Sequence, residues 1–188
     1  MNRKLYQLLL ILWIFAILTA AGSAPAFSGT LPEKGSKLPE FSMTAPKAEE
    51  ERTYLGIGND PVFTFDQIKA DIIVLEIVGV YCPVCHKQFP KMTQFFSRIE
   101  KDRSMSEKVR IVSICAGNTE KEVAYLKKQF KLNYPVITDP KFDIHKALGE
   151  PQTPFTMLVT KDRKIVYAHL GMITDFDKFF SMIKEMVQ

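Results

Sequence analysis

Residues 72–88 read IIVLEIVGVYCPVCHKQ, and they carry the strongest signal of the fold. The nine residues from Ile72 to Val80 form an almost unbroken apolar run, which is typical of a central strand buried on both faces. From His86 to Glu100 apolar side chains recur at helical spacing, which predicts an amphipathic helix. Cys82 and Cys85 therefore fall at the turn between a buried strand and a helix.

The rest of the chain alternates predicted strands and helices. Further strands are predicted at Val109 to Cys115, Pro135 to Thr138, Phe155 to Thr160 and Lys164 to Leu170, and helices at Thr119 to Lys131, Phe142 to Leu148 and from Thr174 onward. The order β-α-β-α-β-α-β-β-α predicts an α/β fold in which a central mixed sheet is covered by helices on both faces. Residues from Phe27 to about Arg52 are rich in Pro, Gly, Lys and Glu, and we expect them to have little regular structure.

Composition excludes several classes of protein. The chain has 188 residues, of which 46% are hydrophobic and 24% charged, which fits one globular domain with extensions rather than a disordered or multi-span membrane protein. The net charge is +4 and the charges are interspersed, so a nucleic-acid partner is not expected. Three cysteines are too few for a disulfide-framework mini-protein.

The N-terminus predicts export. Residues 1–26 combine early positive charges, an apolar run from Leu8 to Leu18, and Ala24-Pro25-Ala26, which fits a signal-peptide cleavage site before Phe27. An uncleaved membrane anchor is the alternative, but the apolar stretch is shorter than the ~20 residues that span a bilayer. Either interpretation places the rest of the chain in an oxidising compartment, where cysteines can pair.

Two interpretations compete for the segment CPVCH at residues 82–86. C-x-x-C after a strand is a redox dithiol motif, whereas C-x-x-C-H is also the attachment signature of a mono-haem c-type cytochrome. The strand-to-helix turn favours the dithiol, because the N–H groups and dipole at a helix N-terminus would stabilise a Cys82 thiolate. A permanent structural disulfide, or a zinc site that includes His86, remains a weaker alternative.

The chain resembles the thioredoxin superfamily, and most of all its TlpA/ResA-type thiol–disulfide oxidoreductases. Besides the dithiol, Glu76 lies six residues before Cys82, where thioredoxins place a buried acid, and Pro90 matches their helix-kinking proline. Thr153-Pro154 precedes the predicted hairpin, where the superfamily has a cis-proline.

The resemblance covers roughly residues 38–188. Tyr134 to Asp139 is similar to the FPV…D segment of TlpA-like members, and Leu38 to Phe41 resembles the start of their N-terminal hairpin. The long interval between Cys85 and Pro154 leaves room for the central strand–helix insert of this branch. The chain departs from the family pattern at Tyr81, where Trp is common, and at Gln88, where ResA-like members carry a functional Glu.

The resemblance implies a thioredoxin fold with an N-terminal extension and the central insert. The domain boundaries are then a signal peptide or anchor at 1–26, an extended arm at 27–37 and a thioredoxin-like domain at 38–188. The implied function is that of a periplasmic thiol–disulfide oxidoreductase acting as a reductant, with no bound cofactor and no metal. Implied partners are disulfide-bonded proteins, such as apocytochrome c, and a membrane thiol-transfer protein that supplies electrons.

Each site residue has an expected role. Cys82 should attack the substrate disulfide and Cys85 should resolve the mixed disulfide. Glu76, whose pKa burial would raise, should accept the Cys85 proton; the alternative is an outward-facing or salt-bridged acid. A cis bond before Pro154 should expose backbone groups of Thr153 that can pair with a substrate strand.

The residues beside the dithiol complete the expected site. Tyr81 is expected either to shield the dithiol or simply to pack against its neighbours. Pro83 and Val84, between the cysteines, are expected to set the redox poise of the pair and to meet the substrate. His86 either tunes Cys82 or faces solvent, and Cys115 is expected to be a buried apolar residue rather than a third redox thiol.

A thiol peroxidase is a further alternative for this chain. The peroxiredoxin pattern P-x-x-x-T-x-x-C would end at Cys82, but Leu75 stands at its Pro position and Gly79 at its Thr position.

Overall fold

The structure is a computed structural model that describes residues 30–188. Its elements in chain order are β1 (Ser42–Thr44), α1 (Glu49–Leu55), β2 (Val62–Thr64), β3 (Ile72–Val78), α2 (Pro83–Lys101), α3 (Arg103–Ser106), β4 (Val109–Ala116), α4 (Glu120–Phe130), β5 (Val136–Asp139), α5 (Asp143–Ala147), β6 (Phe155–Thr160), β7 (Ile165–Leu170) and α6 (Phe176–Val187), with a 3-10 turn at Phe65–Gln67.

A five-stranded mixed sheet forms the centre, in the order β5-β4-β3-β6-β7. Strands β3, β4 and β5 are parallel, whereas β6 runs antiparallel to β3 and β7 antiparallel to β6. All seven residues of β3 are buried, because the strand is central and both of its faces are covered. The predicted α/β fold with a central mixed sheet is confirmed.

Each face of the sheet has its own core. Alternate residues of β3 contribute Val74 and Val78 to the face covered by α2, α4 and α6. The intervening residues, among them Ile73 and Ile77, belong to the other face, which β1, β2, α1 and α5 cover. This alternation follows from the period of two in a strand. It also places Glu76 on the same face as Val74 and Val78, beneath α2.

The dithiol helix begins earlier than the predicted start at His86. Cys82 is its N-cap residue and Pro83 occupies its first turn. Proline is tolerated there because backbone N–H groups in the first turn have no hydrogen-bond partner within the helix. Helix α2 contains Pro90 and continues to Lys101. Strand β3 ends at Val78 rather than Val80, so residues 79–81 form a loop between the strand and the dithiol.

The expectation of little regular structure between Phe27 and Arg52 is wrong for its second half. β1 pairs antiparallel with β2, with α1 between them in the chain, and α1 begins with three glutamates in its first turn, where negative charge is favourable. These short elements are stabilised by packing, because Met43 of β1 and Leu55 of α1 are buried in the second core. Residues 1–29, which include the predicted signal peptide or anchor at 1–26, lie outside the described residues.

Within residues 30–188 no helix has the length and apolar character that crossing a bilayer requires.

Candidate active site

The two cysteines of the motif form a disulfide at the N-terminus of α2. Their Cα atoms are 5.2 Å apart, and the backbone N–H of Cys85 donates a hydrogen bond to Sγ of Cys82, at 3.1 Å. Cys82 is half-buried, whereas Cys85 is completely buried. A sulfur at a helix N-terminus that accepts a backbone N–H is in a position where negative charge is stabilised. Cys82 is therefore the sulfur that an external thiol or disulfide can reach.

The loop before β6 lies directly beside the exposed sulfur. The Thr153–Pro154 peptide is cis, as the sequence predicted, and the carbonyl oxygen of Thr153 lies 3.4 Å from Sγ of Cys82. The carbonyl of Pro154 accepts a hydrogen bond from the N–H of Gly171, at 2.8 Å, which ties this loop to the end of β7. The backbone next to Cys82 is thus held in place. The role of Thr153 and Pro154 toward a substrate stays a prediction.

Three exposed side chains surround Cys82. Tyr81 is 77% exposed and Val84 is 42% exposed, and Pro83 between the cysteines is exposed as well. The Tyr81 hydroxyl donates a hydrogen bond to Oε1 of Glu122 at 2.8 Å, which fixes the ring toward the start of α4. That hydrogen bond is the largest cause of a raised pKa at Tyr81. Whether these side chains contact a substrate stays a prediction.

His86 points into the protein rather than to solvent. Its Nε2 lies 2.6 Å from the carbonyl oxygen of Val80, and its ring packs against Phe130 with the centroids 5.0 Å apart. A carbonyl oxygen only accepts, so Nε2 carries the hydrogen and binds the dithiol loop. This hydrogen bond gives His86 a role in holding the dithiol loop.

Glu76 is completely buried under α2. Its Oε1 accepts a hydrogen bond from Nε2 of Gln88 at 2.7 Å, and its Oε2 accepts one from Oγ of Ser113 at 2.8 Å. Burial raises the pKa of Glu76, and these two hydrogen bonds oppose the rise. The alternatives of an outward-facing or salt-bridged acid are wrong, because both carboxylate oxygens face neutral groups inside the core. Gln88 lies one helical turn after Cys85, so the acid is next to the buried side of the dithiol helix.

Sequence reasoning missed the partners of Glu76. Gln88 was noted only as a departure from the ResA pattern, yet its Oε1 also accepts the backbone N–H of Ile173 at 2.8 Å, so it links Glu76 to the loop before α6. Ser113 sits directly across from Glu76 in the β3–β4 register. The sequence does contain a signal for Ser113. It is a polar residue in the apolar centre of β4, as Glu76 is in β3, and two such residues in adjacent buried strands are candidates for a hydrogen-bonded pair.

Asn118 is a further residue that the sequence did not indicate. Its Oδ1 accepts hydrogen bonds from the backbone N–H of Val80 at 3.0 Å and from the Cys115 thiol at 3.2 Å. Burial raises the pKa of Cys115 to about 12, so this cysteine stays a protonated thiol at neutral pH. Its burial, 0% exposed, agrees with the expectation of a small apolar residue rather than a third redox thiol. Among residues 30–188, no three His, Cys, Asp or Glu side chains are grouped so that they could hold a metal ion.

Half-buried Cys82 is bonded to buried Cys85 at the start of a helix, next to the cis-proline Pro154. On this fold, the arrangement is that of a thiol–disulfide oxidoreductase of the thioredoxin type. The Redoxin family model matches residues 33–183, and the chain belongs to that family.

Named relatives agree with the family. The thiol-disulfide oxidoreductase ResA of Halalkalibacterium halodurans is 25% identical over 60% of this chain and 62% of its own length. The ResA of Bacillus thuringiensis subsp. konkukian is 26% identical over 88% of this chain and 86% of its own length. The crystal structure of StoA from Bacillus subtilis superimposes with a TM-score of 0.57 at 18% identity, covering 84% of this chain and all of that one, which supports the fold alone.

Proposed function

We propose that this protein is an exported reductant of disulfide bonds in other proteins, and that Cys82 and Cys85 cycle between dithiol and disulfide. The observation that carries the proposal is the asymmetry of the pair. Cys82 is reachable from solvent at the helix N-terminus, and Cys85 is completely buried three residues behind it. The likeness to ResA proteins, at 25–26% identity, supports the same chemistry.

The exchange proceeds in two displacements. The Cys82 thiolate attacks one sulfur of a substrate disulfide, the substrate S–S bond breaks, and the other substrate sulfur leaves as a thiolate that takes a proton from water. The Cys85 thiolate then attacks the Cys82 sulfur, and the second substrate sulfur leaves. Two electrons have passed to the substrate, and the protein holds the Cys82–Cys85 disulfide.

Glu76 is the proposed acceptor of the Cys85 proton. A completely buried thiol ionises poorly, so the second displacement needs a base nearby. Gln88, one helical turn after Cys85, holds Glu76 beneath α2, and burial raises the pKa of Glu76, which makes its carboxylate a better proton acceptor.

The substrate is proposed to bind across the exposed rim of Cys82. An extended substrate segment would pair with the backbone at Thr153, whose carbonyl lies beside Cys82, in the manner of strand addition. The exposed side chains of Tyr81, Pro83 and Val84 offer apolar contacts on the other side of the sulfur. Pro154, the next residue along this rim, is proposed to take part in the same contact.

The proposed place of action is the periplasm. The signal-peptide pattern at 1–26 supports export, either with cleavage or as a membrane anchor, and the folded domain is assigned to 38–188. A reductant there needs electrons from across the membrane, so we propose a membrane thiol-transfer protein as donor. Apocytochrome c, whose cysteines must be reduced before they take haem, is the proposed substrate, by analogy with the TlpA/ResA-type proteins.

The reduction potential of the Cys82–Cys85 pair tests the direction of electron flow. We expect a value near that of thioredoxin, about −270 mV, and a value near that of the oxidant DsbA, about −120 mV, would contradict the reductant proposal. Cys85→Ser should accumulate a mixed disulfide with substrate, and Cys82→Ser should lose insulin disulfide reduction. Cys115→Ser is the matched control and should behave as wild type in both measurements. An active Cys82→Ser variant would contradict the assigned order of attack.

A further inference from the structure

Phe142 holds an aromatic ring in an exposed and strained position. Within residues 30–188 it is the one phenylalanine that is exposed, at 42%, whereas the others are buried or half-buried. Its backbone is left-handed, with φ 60° and ψ 25°. Glycine adopts that conformation freely, whereas a residue with a Cβ atom is strained in it. Neither burial nor backbone preference therefore accounts for a phenylalanine at this position.

The Phe142 ring rests on a glycine. The tip of the ring lies so close to Gly117 that a Cβ atom at that position would be 2.0 Å from Cζ of Phe142. The backbone N–H groups of Gly117 and Phe142 both donate to the carbonyl oxygen of Asp139, at 2.8 and 3.1 Å. Gly117 thus leaves room for the ring, and the turn after β5 holds the ring over the end of β4.

The start of α4 connects the Phe142 ring with the dithiol loop. Asn118 follows Gly117, and its Oδ1 accepts the backbone N–H of Val80 at 3.0 Å. Val80 lies two residues before Cys82 in the sequence. Because β3 and β4 are adjacent and parallel, their carboxyl ends lie at the same edge of the sheet. The ring and Cys82 therefore share that edge.

Helix α5 connects the same ring with the loop beside Cys82. The His145 ring contacts Phe142 with the centroids 5.6 Å apart, and its Nε2 donates a hydrogen bond to the carbonyl oxygen of Pro151 at 3.0 Å. Pro151 lies two residues before Thr153, whose own carbonyl oxygen is beside Sγ of Cys82. Phe142 therefore borders, on the β5 side, the rim on which the substrate is proposed to bind.

We propose that Phe142 is a specificity-determining residue, which contacts an apolar side chain of the substrate close to the disulfide that is attacked. This inference rests on the proposed function, in which a substrate segment pairs with the backbone at Thr153 while Cys82 attacks its disulfide. A segment paired there also runs alongside Pro151, toward the Phe142 ring. The ring has no charged or polar atom, so it favours aliphatic and aromatic side chains.

Leu170 is a competing apolar contact on the opposite side of the rim. It is 47% exposed at the end of β7, and the next residue, Gly171, donates a hydrogen bond to the carbonyl oxygen of Pro154. Leu170 is the last residue of a regular strand, where partial exposure is ordinary. Phe142, in contrast, is exposed on a strained backbone and rests on a glycine that leaves it room. We therefore assign the contact to Phe142 and test Leu170 beside it.

The test compares two peptide disulfides that differ only beside their cysteine. Each is a dimer of a short peptide with a single cysteine, which is flanked on both sides by phenylalanine in one peptide and by alanine in the other. The second-order rate constant of disulfide exchange with the reduced protein is measured for both. We expect wild type to react about five- to ten-fold faster with the phenylalanine peptide, because part of an apolar side chain is buried.

Variants of Phe142 should change the ratio of these two rate constants. Phe142→Asn should lower the ratio about three-fold or more, because asparagine tolerates the left-handed backbone but has no apolar ring. Phe142→Tyr keeps the ring and should retain the ratio. Leu170→Ala should also retain it.

Met186 provides a matched control. It is 41% exposed near the end of α6, where the carbonyl of Val187 accepts a hydrogen bond from Lys108. Lys108 immediately precedes β4, so Met186 lies at the end of the sheet opposite to Cys82. Met186→Ala removes a similarly exposed apolar side chain and should keep the wild-type ratio. Circular dichroism confirms that each variant is folded.

A trapped complex tests the same contact without a substitution at Phe142. Cys85→Ser holds the phenylalanine peptide as a mixed disulfide on Cys82, and nuclear Overhauser contacts locate the peptide ring. Contacts with the Phe142 ring support the proposal, whereas contacts with Leu170 and none with Phe142 overturn it.

The rate measurements can overturn the proposal as well. A wild-type ratio near one rejects it, as does a ratio that Phe142→Asn leaves unchanged or that Leu170→Ala lowers instead. The proposed function fails separately, through a reduced wild-type protein that exchanges with neither peptide or through an oxidising potential of the dithiol. The two ideas are therefore distinguishable.

Discussion

Glu76 places a carboxyl group in a position where a hydrophobic residue would be the stable choice. It is buried between Val74 and Val78 in the face under α2, and within residues 30–188 its side-chain hydrogen bonds come from Gln88 and Ser113. Burial of a charge is expensive, so burial raises the pKa of Glu76 and favours its neutral form. That property suits a group which accepts a proton from Cys85 and later releases it.

Glu76→Gln should therefore slow the enzyme while keeping the shape of the site. We expect disulfide reduction to be about ten-fold slower or more near pH 7, within the range of a general base. The loss should shrink at higher pH, where Cys85 ionises without help. Steady-state rates between pH 6 and 9 measure this effect.

A second glutamate provides the control for that experiment. Burial also raises the pKa of Glu100, but this residue lies at the far end of α2 from the dithiol. Glu100→Gln should keep the wild-type profile. A Glu76→Gln rate equal to wild type across the whole pH range would leave Glu76 with a structural role only.

The loop between β3 and α2 is held by residues of neighbouring elements. Asn118, between β4 and α4, accepts the N–H of Val80, and His86 of α2 donates to the carbonyl of the same residue. Tyr81 extends from this loop to Glu122, which also closes the capping box at the start of α4 with Thr119. Hydrogen bonding to Thr119 is the first cause that lowers the pKa of Glu122 to about 2. The dithiol loop is therefore anchored on α4 as well as on its own helix.

Asn118→Ala should lower the stability of the protein more than Tyr81→Phe, which removes the hydrogen bond from Tyr81 to Glu122. The variant leaves the buried N–H of Val80 without its acceptor, which costs about 1–3 kcal/mol of unfolding free energy. Tyr81→Phe removes a hydrogen bond at an exposed side chain and should change stability by less than about 0.5 kcal/mol. Urea unfolding of the oxidised proteins measures both, and equal losses would show that Asn118 does not anchor the loop.

The protonation of Glu76 also affects the stability of the whole molecule. The pKa of the carboxyl is raised in the folded state above its ordinary value of 4.5, so the folded protein binds the proton more tightly than the unfolded chain. This contribution is present in full below the unfolded pKa, and it is lost as the pH rises through the folded pKa. Above the folded pKa of Glu76 the wild type therefore carries the cost of a buried charge.

Glu76→Gln should remove that cost without creating a new one. Its amide oxygen can accept from Gln88 and its amide nitrogen can donate to the Ser113 hydroxyl, so both hydrogen bonds are retained. We expect the variant to be as stable as wild type at about pH 4 and more stable above the folded pKa of Glu76. Thermal unfolding of both proteins across this pH range gives the difference, and a constant difference would contradict a raised pKa.

The two-sided core explains which strands and helices could be predicted from sequence patterns. β3, β4 and β6 appear as apolar runs because both of their faces are covered, and α4 is marked by the capping box at Thr119. The strand pair β1–β2 and helix α1 leave no periodic pattern in the sequence, because they are short and their stability comes from packing Met43 and Leu55 onto the second face.

Local patterns in the amino-acid sequence predict the order of the main strands and helices, the dithiol at a helix N-terminus and the acid inside β3. These features depend on periodicity and capping, which act over a few residues. Only the tertiary structure decided what surrounds them. It brings Ser113 to Glu76 across 37 positions and Thr153 to Cys82 across 71, and it turns His86 toward Val80. Such partners depend on strand register and helix packing. Both result from many weak contacts between distant parts of the chain, so no local sequence pattern predicts them.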